Sequence, residues 1–95
     1  MNLLEIISTT EKAIATKNIL KENGSATLIK IQKNALLDKH QSRTNALLVL
    51  LSGKAIYEEE DRKIVLSETN DFVKIPEKVT HKVKGEEDSL LLLIQ

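Results

Sequence analysis

From residue 36 to its end the chain is a succession of apolar segments too short for helices, each closed by turn chemistry. ALLVLL ends at Ser52-Gly53, KAIYE runs into the acidic bend EEEDR, KIVLSE ends at Thr69-Asn70, and DFVKIP, VTHKVKG and SLLLLIQ follow. Strand-length segments at this spacing, with no room for a long helix, predict an all-β sandwich or barrel.

Two of the segments carry a second constraint. ALLVLL and SLLLLI show no polar alternation, so both faces of these strands need cover, whereas a half-buried strand alternates. The expectation is a homodimer packed through these outer strand faces. The alternative is that the N-terminal 25 residues fold over them within one chain.

Those first residues offer two competing signals. Ser8 and Glu11 have capping-box spacing, and EKAIATKNILKEN could run as a helix towards Gly24. Against this, Asn23-Gly24 suits a type I′ hairpin turn, and ATLIKIQ reads as a strand that faces Leu28 away from Ile29 and Ile31. The hairpin is the preferred reading, with a short helix before it. Residues 1–25 are then an N-terminal extension, helix and/or hairpin arm, of the same domain as a barrel over 26–95.

Composition removes several function classes. The 14 basic and 14 acidic residues cancel, and Tyr57 and Phe72 are the only aromatic residues, so neither a phosphate-binding charge excess nor a base-stacking platform exists. No nucleic acid or membrane partner is expected. Cysteine is absent, so any metal must use nitrogen and oxygen ligands. The opening MNLLEIIS lacks a basic n-region, and the expected location is the cytoplasm.

Strand alternation in VTHKVKG puts Val79, His81 and Val83 on one face and Thr80, Lys82 and Lys84 on the other, so His81 points inward. The other histidine, His40, lies between two apolar runs. The stretch from about 36 to 94 resembles the cupin superfamily, small jelly-roll barrels with two sequence motifs. His40 and Gly53 fit the outer positions of the first motif, while Ser42 and Ala46 stand where its second histidine and its glutamate would be. In the second motif Asn70, Pro76, Lys78, His81 and Gly85 fall on the key positions. Asn70 replaces a glycine, and Lys78 and Gly85 depart from the pattern. Asparagine is the residue that next best tolerates the positive φ of a turn glycine.

The resemblance implies a double-stranded β-helix in which His40 and His81 meet inside one end of the barrel, with Ser42 and Ala46 lining the pocket. In the family three histidines and a carboxylate bind a divalent transition metal. With two of the four ligands left, the expected cofactor is a weakly held zinc, iron, nickel or manganese ion, or none. Three functions follow from this reading. The first is a non-catalytic or weakly metal-binding cupin that takes a small polar or anionic molecule in the barrel mouth. The second is a metal-dependent enzyme of oxygenase or isomerase type, and the third a pH-responsive regulatory or scaffold dimer. The acidic run Glu58, Glu59, Glu60, Asp61 reads as a solvated hairpin tip, and the lysines at 74, 78, 82 and 84 as a solubilising strip.

Overall fold

The computed structural model describes residues 1–7 and 11–95. A one-turn helix α1 (Leu3–Ile7) precedes nine strands: β1 (Ile14–Lys21), β2 (Ser25–Ile31), β3 (Leu36–His40), β4 (Ala46–Ser52), β5 (Ala55–Glu59), β6 (Lys63–Leu66), β7 (Phe72–Ile75), β8 (His81–Gly85) and β9 (Ser89–Ile94). They form two antiparallel sheets, one ordered β1-β2-β9-β4-β7 and the other β3-β8-β5-β6. The all-β fold expected from the strand rhythm forms, in the jelly-roll arrangement that the resemblance implied.

The sheets face one another, and their inward positions interlock in a single core. Ile29, Ile31, Leu48, Leu50, Val73, Ile75 and Leu91 come from the first sheet; Ala55, Tyr57, Leu66 and Val83 come from the second. Alternation decides membership: Ile29 and Ile31 enter this core, while Leu28 joins a separate cluster with Ile7 and Leu90 on the outer face.

EKAIATKNILKEN does not form the helix that its capping signal suggested. Residues 14–21 are an edge strand instead, hydrogen-bonded to β2 along its length with a register shift between Asn18 and Leu20. A helix this short is marginal by itself, so pairing with a ready sheet edge decides the outcome. Ser8, the proposed cap, lies outside the described residues. The hairpin is present, but it is not the two-residue type I′ turn: three residues, Glu22 to Gly24, connect the strands, and neither Asn23 nor Gly24 has positive φ. Gly24 serves a different need there, since a Cβ would stand 3.1 Å from the Gln95 carbonyl oxygen.

The outer face of the first sheet is covered unevenly. Ile7 of α1 packs on Leu28 and Leu90, with Ala15 and Leu51 beside them. Towards the other end the register lines up Leu28, Leu92, Val49 and Phe72 in one row and Leu20, Ala26, Ile94 and Leu47 in the next. In these rows Phe72, Leu20 and Ile94 remain exposed.

Three turn positions explain the motif residues. Gly53 has φ of 90°, and a Cβ there would collide with the Asp88 carbonyl. Asn70 has φ of 79°, as its place in the glycine position required. Lys78 has φ of 63°, so this lysine also occupies a glycine-like position. Gly85 is needed for close approach rather than torsion, because a Cβ would lie 2.6 Å from the Gln32 carbonyl oxygen.

Candidate functional site

Two loops build the mouth of the barrel. The β3–β4 loop is tied to the β7–β8 loop by three hydrogen bonds: Lys78 N donates to the Ser42 carbonyl at 2.7 Å, Glu77 N to Asn45 Oδ1 at 2.9 Å, and Gln41 Nε2 to Thr80 Oγ1 at 3.0 Å. The left-handed turn at Lys78 aims its N–H at that carbonyl. With the loops joined, the end of β3 and the start of β8 come side by side, and His40 pairs directly with His81 across the strands.

The two imidazoles meet with ring centroids 4.1 Å apart in an edge-to-face arrangement. Each Nδ1 contacts the backbone carbonyl two residues before it, Asp38 O at 2.9 Å for His40 and Val79 O at 3.0 Å for His81. A carbonyl only accepts, so Nδ1 carries the proton in both rings and Nε2 is left as the free nitrogen. His81 is buried and His40 exposed. Burial holds the His81 pKa below the ordinary histidine value, and nearby His40 adds to this; the Val79 carbonyl and the Glu59 charge act against it.

Beside the rings lies a cavity of about 100 Å³ with walls that include Ile29, Ile31, Leu48, Ile75 and Leu91. Its volume matches that of roughly three waters. Ser42 and Ala46 are among its lining residues, along with Gln41 and Gln95. The Ser42 hydroxyl has the Thr44 carbonyl at 2.7 Å and Gln95 Oε1 at 2.9 Å within donating reach. Among the described residues, no Asp or Glu side chain lines this cavity.

One polar group near the histidines escaped the sequence reading. Glu59, placed there in a solvated tip, is the cross-strand partner of His81, and its side chain is only 10% exposed. Paired residues share a face, so His40, His81 and Glu59 form one inward row across β3, β8 and β5. Arg62 grips the carboxylate with two hydrogen bonds, Nε to Oε1 at 2.8 Å and Nη2 to Oε2 at 2.7 Å, and Tyr57 donates its hydroxyl to Oε2. The same guanidinium donates to the Lys74 carbonyl at 2.6 Å, which closes the rim between the two sheets, and it lies over the Tyr57 ring. The Arg62 hydrogen bonds hold the Glu59 carboxyl below its usual range against the opposing effect of burial. Burial, followed by the adjacent carboxylate, raises the Tyr57 hydroxyl. Tyr57 also stacks on His81, with centroids 5.4 Å apart. A signal for Glu59 was present: Ala55 and Tyr57 are apolar alternate residues of KAIYE, and the next step of the alternation is Glu59.

No family model and no curated protein sequence matches the chain. Solved structures do. A cupin superfamily protein from Desulfitobacterium hafniense superposes with a TM-score of 0.88 at 19% identity, covering 100% of this chain and 87% of that one. The chain is a small cupin-fold domain. A cupin-2 domain protein from Shewanella frigidimarina gives a TM-score of 0.83 at 20% identity over 100% of this chain and 92% of its own. The DMSP lyase DddQ from Ruegeria pomeroyi gives 0.78 at 16% identity, covering 86% of this chain and 46% of the lyase.

Cupins as a family commonly bind metals, and the donor set here can be tested against that. Two free imidazole nitrogens are available, Ala46 offers no ligand, and both oxygens of Glu59 are engaged. Among the described residues, no three His, Cys, Asp or Glu side chains are grouped so as to share an ion. As arranged, these residues do not fit the family's four-ligand centre. No described helix is long and apolar enough to cross a membrane.

Proposed function

We propose that this cupin is a small-molecule binding protein that takes a small polar or anionic ligand in its barrel mouth. The reading is carried by the pairing of His40 with His81 beside an apolar cavity, since a few convergent polar groups in an apolar concavity are the usual character of a ligand pocket. The imidazoles supply the polar anchor, and Ser42 and Gln95 supply further hydrogen-bonding groups. The expected setting is the cytoplasm.

A metal-dependent enzyme is the second reading, favoured by the lyase among the structural neighbours. It requires that substrate complete a coordination sphere begun by two histidines, which leaves little Lewis acidity to exploit. For the partner we propose a second copy of the chain on the outer face around Phe72 and Ile94, which stay exposed beyond the part that α1 covers.

Binding is tested by following the histidine ring signals in NMR while acetate, lactate, pyruvate, glycerol and phosphate are added in turn. At least one should shift the His40 and His81 resonances saturably in the wild type and lose affinity in His40→Gln. If none of the five does so, the pocket reading fails. Metal analysis of protein made without an affinity tag decides the second reading, because a tightly held stoichiometric ion that is lost with His81→Gln would replace the first. Sedimentation of wild type against Phe72→Glu tests the dimer.

A further inference from the structure

The row His40, His81, Glu59 contains the residue types of a two-histidine, one-carboxylate metal site, yet the carboxylate is turned to Arg62. We propose that Arg62 acts as a built-in cation that excludes divalent metals: it occupies the Glu59 carboxylate so that this group cannot join His40 and His81 as a ligand, and without it these three side chains form a metal site.

The argument begins with register. His40, His81 and Glu59 are direct partners on three adjacent strands, so their Cβ atoms are separated by about 5 Å per step and lie on the same face. Both histidines have Nδ1 occupied by backbone, which leaves Nε2 as the ligating nitrogen on each. Glu59 and His81 line one surface depression, with Glu58, Glu60 and two lysines, while His40 and His81 line the cavity on the other side, so His81 is the residue common to both. The adjacency of His81 to both His40 and Glu59 is therefore built into the sheet, independent of any bound ion.

Charge explains why the site stays closed. Arg62 presents a planar fork to the carboxylate, the strongest pairing available to it in this setting, and is itself fixed by the Lys74 carbonyl and the Tyr57 ring. An ion entering between the histidines would have to displace a tethered guanidinium to reach its third ligand. With Arg62 in place, only two neutral imidazoles are offered, and such a pair holds a divalent ion poorly. The carboxylate of this site comes from β5, whereas the first motif would have placed it at Ala46 on β4.

The test is a Co²⁺ titration followed by visible absorption, on wild type, Arg62→Met and the double variant Arg62→Met/Glu59→Gln. Methionine keeps the length and packing of the arginine stem while removing the fork. Arg62→Met should bind Co²⁺ about tenfold tighter than wild type or better, the effect expected when control over a ligand's orientation changes. The gain should vanish in the double variant. No gain in Arg62→Met, or a gain that survives Glu59→Gln, overturns the proposal. A second measurement needs no change at Arg62: Glu59→Gln alone should leave the Co²⁺ affinity of the otherwise wild-type protein unaltered, and a loss there would show that Glu59 already ligates. None of these outcomes depends on whether the mouth binds an organic ligand, so this inference and the binding function fail separately.

Discussion

His81 has a different kind of neighbour on each side, and the contrast separates site from scaffold. On β3 stands His40, exposed, with one ring nitrogen satisfied and one free. On β5 stands Glu59, nine-tenths buried, with both oxygens taken by Arg62 and Tyr57. Both are polar residues on the inner face of the same sheet at the same level. Only the incompletely paired one keeps chemistry to offer a ligand; the fully paired one holds the barrel rim together. Burial forces this division, because a buried charge without partners is far costlier than an exposed imidazole with a spare lone pair.

The comparison can be broken most forcefully at Arg62. Arg62→Ala leaves the Glu59 carboxylate buried beside one donor and frees the Lys74 carbonyl that joins the two sheets. The expected loss is about 2 kcal/mol in urea unfolding, below the range for a fully buried pair because the guanidinium is partly in water. A change within ~0.5 kcal/mol would mean that the clasp is decoration.

Acid should resolve His81 and Glu59 into separate pH windows. His81 titrates lower in the folded protein than its unfolded value of 6.5, so its contribution is complete above that pH and is lost as pH falls through the folded value. Glu59 is also depressed, from 4.5, so its contribution disappears only at more acidic pH. Unfolding midpoints from pH 8 to pH 3 should decline in both windows. His81→Gln should flatten the upper one and Glu59→Gln the lower; a wild-type profile level from pH 8 to pH 5 would contradict the burial assigned to His81.

The smallest stability effect belongs to His40. His40→Gln removes an exposed ring, and its cost should stay within about 0.5 kcal/mol, the usual range for surface changes. Its effect on ligand affinity should nevertheless exceed that of Arg62→Met, with both read by the same NMR titration. Were His40→Gln to destabilise as much as Arg62→Ala, the division between site and scaffold would collapse.

Much of this site was legible in the chain. Alternation around VTHKVKG turned His81 inward, the motif spacing brought His40 to it, and Asn70 took up the positive φ that its position demanded. Glu59 was hidden by its company: within a run of four acidic residues it looked solvated, although the alternation of Ala55 and Tyr57 pointed it inward. Residues 11–21 carried a helix signal and a competing hairpin signal; the hairpin, the preferred reading, forms, though without the expected type I′ turn.

The sequence by itself determined the strand rhythm and the inward face of strands such as β2 and β8, because side-chain period is a local property; of the left-handed turns it marked Asn70 but not Lys78. Only the tertiary structure decided that Arg62 of the β5–β6 hairpin also reaches the Lys74 carbonyl on the other sheet, that Glu77 N meets Asn45 Oδ1 between the two mouth loops, and that α1 covers one end of a face and leaves the other bare. Those outcomes rest on which distant groups come within a hydrogen bond's length. Local pattern carries no information about that, because it is settled when the two sheets close.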